Sequence, residues 1–376
     1  MPADAWGLEL NPDALQYVKP PQFHFTHTRI SVMKPTLTLL CAFLLALFLQ
    51  PSEYAHAQDM QTGMAAGVDI AEWTVPWERT RPRDPFVAPD GTVWFCGQVG
   101  GYVASLNPDT GEMKRYDLGE GAGPHNLIVA PDGRVWYAGN RRAHIGMLNP
   151  ETGDITKYDM PDPAARDPHT LIWLPDGNIA FTVQGGNMVG HLDVTTGEVK
   201  LASAEESGSR PYGIKVAPDG KVWVVLFGTN RLAHFDIENE TLREYDLPRE
   251  EARPRRMEIT SDGRIWYGDY EGGYLGVFDP ETAEFTEWQM PSAGKSRVYG
   301  MAKDETDTIW FVETGVYPNR FVGFDTRSES FKRGTDVPSG GGTIRHMYFD
   351  ENTGYVWFGA DSNTVGRAIV SAREGS

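Results

Sequence analysis

Short apolar runs alternate with polar turns along most of this chain, and their length and spacing predict strands rather than helices. The clearest copy runs from His125 to Asp159. His125 to Ala130 is apolar over one strand length, Pro131-Asp132-Gly133 turns it, and Val135 to Ala138 returns as a second strand. His144 to Leu148 and Ile155 to Asp159 predict a third and a fourth, joined through Asn149-Pro150-Glu151-Thr152-Gly153 with proline and glycine at turn positions.

One position in this unit carries a marker. Trp94, Trp136, Trp223, Trp266, Trp310 and Trp357 recur at intervals of 42 to 47 residues, with Ala180 at the one missing beat. A four-stranded unit of this length cannot bury both faces alone, so the period predicts β-propeller blades. Seven copies predict an all-β, seven-bladed propeller, and because a radial array shares a continuous core, residues 58–376 are expected to form one domain. The tryptophans are expected to fill the gaps between blades, burying about 150–250 Å² each. Ala180 then requires a large neighbour such as Trp173, or a looser contact. The last copy supplies only three strands, ending with Val365 to Val370. Residues 70–75 read like the fourth strands elsewhere and are expected to complete that blade, removing two exposed sheet edges.

The first 57 residues follow another pattern. Met33-Lys34 precedes an apolar run from Leu37 to Leu49 and then Ala55-His56-Ala57, the layout of a secretory signal. A run this short does not reach the ~20 residues of a bilayer crossing. The expectation is therefore a start at Met33, cleavage after Ala57 and a periplasmic or secreted protein without a membrane span. Cys41 would leave with the signal, and Cys96 alone would remain, so the fold must hold without disulfides. The chain carries 52 acidic and 34 basic residues; four acids and three bases lie in the first 57, which leaves a net charge of −17. That balance repels polyphosphates and makes nucleic acid an unsuitable partner. A monomer that takes a small molecule is expected.

Propeller chemistry gathers where the first strands converge on the axis. Counting eleven residues back from each marker gives Arg83, His125, His169, Tyr212, Arg255, Tyr299 and His346, every one able to hydrogen-bond. Counting thirteen back gives Arg81, Gly123, Asp167, Arg210, Arg253, Arg297 and Ile344. Arg256 and Arg345 add to this rim, which suggests a cationic mouth for a carboxylate, sulfate or phosphate. The alternative is that these arginines pair with Asp84, Asp167, Glu258, Asp269, Glu271 and Glu313. His125 and His169 stand at one register on adjacent blades, where imidazoles suit proton transfer. His144, His191 and His234 lie on third strands and read as packing or surface residues. No metal-ligand spacing of the helix or knuckle kind occurs.

The repeated pattern seen in Gly123-Pro124-His125, Pro131-Asp132-Gly133, Val135-Trp136 and Leu148-Asn149-Pro150 resembles the virginiamycin B lyase, or streptogramin lyase, family, from about Trp73 to Val370. The resemblance implies a seven-bladed propeller that opens a cyclic depsipeptide by elimination at an ester, with magnesium polarising the carbonyl. It implies proton-handling roles for His125 and His169, and Asp167 as a metal ligand or orienting carboxylate. The family's further glutamate corresponds to Gln184, which is neutral and cannot accept a proton. Arg83, Tyr212, Arg255, Tyr299, His346, Arg210, Arg253, Arg297 and Gln184 are the expected substrate-binding residues. Two functions stay open: a metal-assisted C–O lyase or lactone hydrolase, and a non-catalytic propeller that captures an anionic small molecule, glycan or protein in the arginine-lined mouth. Gluconolactonase-like propellers are a weaker resemblance, because no calcium-binding set of acids and asparagines recurs across the blades.

Overall fold

The computed structural model describes residues 67–371; the expected start at Met33, the apolar run and the cleavage after Ala57 lie outside the described residues. Seven antiparallel sheets follow one another along the chain. Blade 2 shows the common plan, with strands Pro124–Val129, Val135–Gly139, His144–Leu148 and Ile155–Asp159. Its third and fourth strands have the bounds expected from sequence. The first strands of the seven blades are Pro82–Val87, Pro124–Val129, Pro168–Trp173, Pro211–Val216, Pro254–Ile259, Met301–Lys303 and Ile344–Asp350. Each touches the first strand of the blade before and after it, and the last touches the first, so they enclose a common axis. No helix among the described residues is long and apolar enough to cross a membrane.

Asp69–Thr74 pairs antiparallel with Thr364–Ile369 and completes blade 7. Trp73 on this strand stacks on Trp357 at 5.4 Å between ring centroids. The same stack joins second and fourth strands elsewhere, as in Trp136 with Tyr158 at 5.4 Å and Trp266 with Trp288 at 5.4 Å. Glu72 holds the closure from its other face, accepting hydrogen bonds from the Thr364 hydroxyl at 2.7 Å and the Ser339 amide at 2.7 Å.

Seven apolar clusters each straddle one gap between neighbouring blades. Each of the six tryptophans is buried in one of them, as expected. Ala180 belongs to the gap between blades 3 and 4, where Ile172, Ile214, Val224 and Phe235 fill the space. Trp173 does not compensate for it. It faces blade 2 instead, edge-on to Trp136 at 6.2 Å, with its indole N–H donating to the Val129 carbonyl at 3.1 Å.

Five of the first strands open on proline, which needs no ladder donor at an edge. Just inside, the pairing with the second strand shifts, for instance between Pro124 and Leu127 and between Pro168 and Leu171. Such a bulge re-aims side chains. Here it lets two consecutive residues, such as His125 and Asn126, both meet other blades near the axis.

Removal of residues 58–76 is expected to abolish the cooperative thermal transition followed by circular dichroism, because it reopens blade 7 and strips Trp357 of its cover. A truncated chain that melts at the native temperature would contradict ring closure by this strand.

Candidate functional site

The shared register brings most of the expected ring together. His125 and His169 pack ring on ring at 3.4 Å between centroids, His169 meets Tyr212 at 3.8 Å, and the Tyr212 and Tyr299 hydroxyls hydrogen-bond to each other. A continuous line of contacts therefore runs across blades 2, 3, 4 and 6. Arg83, His125, His169 and Tyr212 are at most 5% exposed, whereas Arg255 and Tyr299 are half-buried. The ring opens to solvent on the side of blades 5 and 6.

Blade 7 departs from the count. Ile344 pairs with Ala360, three residues past its tryptophan, as Pro124 pairs with Gly139. Six residues separate the paired Phe349 and Val356, against five between Val129 and Val135. This extra hairpin residue slips every upstream offset by one. Arg345 consequently takes the ring position and Thr343 the rim position assigned by count to His346 and Ile344. Arg345 forms a two-pronged ion pair with Asp361.

His346 instead joins a deeper layer formed by the residues that follow the ring. There Arg256 reaches from blade 5 across the axis to Asp84 at 3.1 Å, Thr170 at 2.9 Å and the Arg345 carbonyl at 3.2 Å. Asp84 also accepts from Arg83 Nε at 2.9 Å and Asn126 Nδ2 at 3.0 Å, and Asn126 accepts from the Leu171 amide at 2.9 Å. Blade 4 contributes Gly213 to this layer. A Cβ there would stand 2.9 Å from the Arg255 carbonyl oxygen, so only glycine admits the backbone that carries Arg256. The plug closes the floor of the mouth. Beyond it lies a cavity of about 350 Å³ whose lining includes Asn126, Thr170, Arg256, His346, Lys215 and Glu258, but none of the ring residues.

Burial and the charges of the plug together set the protonation of the surrounding groups. Burial alone would raise the Asp84 carboxyl, but Arg83, His346 and Arg256 outweigh it and hold it well below the usual carboxylate range. Burial, reinforced by the charges of Arg83 and Arg256, pushes His125 and His169 well below the ordinary imidazole value, and His346 down to about 3. All three are neutral at pH 7. Asp167 is pushed up to about 7 by burial, with Arg83 opposing, and accepts a hydrogen bond from the Asn140 amide. Gln184 is half-buried on the same blade, and its backbone amide donates to the Asp167 carbonyl at 2.9 Å.

Aromatic rings organise the mouth on the open side. Arg255 lies 4.6 Å over Tyr299, 4.3 Å over Tyr270 and 5.0 Å over Phe227. Arg210 and Arg253 approach Phe227 at 5.7 and 5.8 Å, and Arg297 approaches Tyr270 at 5.4 Å. Several of these cations have carboxylate partners: Arg253 and Arg297 each stand 3.5 Å from Glu271. Both expectations for the arginines hold in part, since Arg255 and Arg210 form no ion pair among the described residues. Of the other acids considered, Glu258 pairs with Lys215 at 2.8 Å, Asp269 caps the amides of Glu271 and Gly272, and Glu313 accepts from Ser292 and Ser296.

Sequence reasoning missed Phe227 and Tyr270, although they stand four residues past the marker, as Gln184 does. The same offset yields Gln98, which accepts from Arg83 at 3.0 Å, as well as Asn140 and Asp361. Four buried polar atoms near the axis lack a protein partner: Arg83 Nη2, His125 Nδ1, Arg255 Nε and His346 Nδ1. Each leaves an unmet hydrogen bond where a ligand or water would bind.

No three His, Cys, Asp or Glu side chains converge among the described residues. Asp167 is one carboxylate, already bonded to Asn140, and its burial favours the protonated form. Magnesium takes oxygen donors and usually keeps several waters, so a single carboxylate such as Asp167 would supply only part of its shell.

Neutral burial of three imidazoles sets a pH dependence. Their folded pKa values lie beneath the unfolded value of about 6.5, so the stability they contribute is present above that pH and is lost below it, at ~1.4 kcal/mol per pH unit per histidine. Asp167 acts in the opposite sense between about pH 4 and 7, because the fold holds its proton more tightly. Urea midpoints are therefore expected to fall between pH 6.5 and 5 with a slope of roughly two net protons. A midpoint that stays flat through that window would contradict the neutral cluster.

A model of the virginiamycin B lyase family matches residues 119–372. No curated protein sequence matches the chain. Among solved structures, a streptogramin B lyase is 24% identical with a TM-score of 0.72, over 80% of this chain and 97% of that one. The virginiamycin B lyase from Staphylococcus aureus is 22% identical with a TM-score of 0.73, over 81% of this chain and all of its own. A catalytically inactive variant of the latter, solved with quinupristin, aligns equally well, at 22% identity and a TM-score of 0.73 over 81% of this chain and all of its own. At these identities the structures establish the fold, and the family match, which spans most of the chain and all blades but the first, shows that this protein belongs to the virginiamycin B lyase family.

Proposed function

We propose that this chain is an exported C–O lyase that eliminates across an ester in a cyclic or lactone-like small molecule bearing an anionic group, and that it works as a monomer. One observation carries the reading: His125, His169, Tyr212 and Tyr299 form an unbroken contact line beneath an arginine-rich mouth. Elimination converts an ester into a carboxylate and needs a proton moved from carbon. Neutral imidazoles and phenols can move that proton, and preorganised guanidinium groups stabilise the carboxylate as it forms. Among them, Arg255 has no ion-pair partner of its own among the described residues. In this reading Asp167, braced by Asn140, orients the histidine pair, while Arg210, Arg253, Arg297 and Gln184 shape the rim that receives the substrate.

A second reading has its own support. His125 and His169 are 5% and 1% exposed, an arrangement that also suits a rigid floor under a binding mouth. In that case the propeller captures an anionic small molecule, glycan or protein without turning it over.

Incubation of the purified protein with depsipeptides and lactones, followed by mass spectrometry, separates the possibilities. Elimination yields a linear product of unchanged mass with a new C=C absorbance, whereas hydrolysis adds one water. His125→Ala and His169→Ala are each expected to lower turnover by about 10²-fold or more. Turnover that survives both substitutions would remove them from the chemistry. Binding without turnover, weakened by salt and by Arg253→Ala, would establish the second reading.

A further inference from the structure

The ring carries a proton problem. Gln184 stands where the resemblance implies a glutamate, the two central imidazoles are nearly sealed, and the half-buried Asp167 is held by Asn140. We propose that Tyr299 is the proton-accepting group of this site, its phenolate supported by the Tyr212 hydroxyl and by the arginines that surround it. This assignment rests on the eliminative reading above.

Three features of the geometry point to Tyr299. It is half-buried at the open side of the ring, so a ligand seated in the mouth meets it before the histidines. Its hydroxyl is hydrogen-bonded to that of Tyr212, which packs against His169 at 3.8 Å, so a phenolate there keeps a donor anchored in the ring. Its surroundings are cationic: Arg255 stacks on its ring at 4.6 Å and Arg345 of blade 7 approaches at 5.8 Å.

The groups on every flanking blade act in the same direction or are already engaged. Arg83 from blade 1 and Arg256 from blade 5 add positive charge, and their counter-ion Asp84 is held by both. On the rim of its own blade, Arg297 is shared with Glu271 at 3.5 Å, as is Arg253 of blade 5. Asp361 of blade 7 is occupied by Arg345. His346 is neutral, and Tyr270 and Phe227 present ring faces to Arg255. Burial alone would raise the Tyr299 phenol, but Arg83 and Arg255, with the Tyr212 hydrogen bond, lower it below the ordinary tyrosine value. Tyr212 moves the other way, since it is wholly buried and faces the partner that ionises first.

The step balances without a co-reactant. A proton on the carbon adjacent to the C–O carbon passes to the Tyr299 oxygen, and the C–H electron pair becomes the C=C bond. The C–O bond breaks with its electrons on oxygen, and the ester's acyl half leaves as a carboxylate facing Arg255. Tyr299, now neutral, returns the proton to solvent.

Ultraviolet titration of tyrosinate reads the assignment without any substrate. In the native protein one tyrosine is expected to ionise below pH 10, about the ordinary value. Tyr299→Phe should remove that transition while retaining the melting temperature, and Arg255→Gln should shift it upward. A titration identical in native protein and Tyr299→Phe overturns the assignment, whatever the ester assays show. With a turned-over ester, Tyr299→Phe should lower kcat at least about 10²-fold and leave KM nearly unchanged. The low-pH transition together with no elimination from any ester would instead overturn the eliminative reading, and the accepting role with it. Elimination at the native rate by Tyr299→Phe would overturn the role alone.

Discussion

One ion pair across the axis organises this protein. Arg256 crosses from blade 5 to meet Asp84 of blade 1, and on the way it bonds to blades 3 and 7. A buried charge costs several kcal/mol unless it is both paired and hydrogen-bonded, and Asp84 meets both conditions with Arg83, Arg256 and Asn126. Two guanidinium groups against one carboxylate leave a positive excess at the centre. Burial, reinforced by that excess, keeps the neighbouring imidazoles neutral, and the excess joins Arg255 in lowering the Tyr299 phenol against its burial. The structural bolt and the chemical character of the mouth therefore have the same origin.

The distribution of charge follows from this arrangement. The chain is strongly acidic as a whole, yet its axis and rim are lined with arginine. An acidic outer surface around a cationic funnel directs small anions to one place, because field lines concentrate in a cleft with low-dielectric walls. Aromatic faces keep those guanidinium groups extended toward the opening. Phe227 and Tyr270 both lie against Arg255, which has no carboxylate partner among the described residues to neutralise it.

Much of the fold was legible because propeller strands are short, alternate cleanly and end on glycine or proline turns. The strands at His144–Leu148 and Ile155–Asp159 came from that pattern alone, and the tryptophan interval established the number of blades. The ring was legible by the same count in six blades. It failed in the seventh, where the single extra residue between Phe349 and Val356 leaves the apolar alternation intact on each strand and changes only the register between them. The plug escaped because it depends on the bulge after each first residue, which turns a neighbour that simple alternation would send away from the axis. Arg256 was thus read as a rim residue and is found beneath it. Trp173 was misplaced for a related reason: a period identifies which strand a side chain stands on, but not which of two equivalent gaps it fills.

The strand that finishes the circle is the earliest of the described strands to be synthesised. Asp69 faces Ile369, and Glu72 accepts its bond from Thr364 across 292 positions of chain. Until the final sheet exists, this strand has no ladder to join, and the entropy of so long a loop must be met before its pairing returns anything. Blades in the middle of the chain can assemble locally on their neighbours, while the two halves of the seventh must wait for each other. The joint between the first and last of the described strands acts as a clasp, and the circle it fastens is the frame in which Arg256 can reach Asp84.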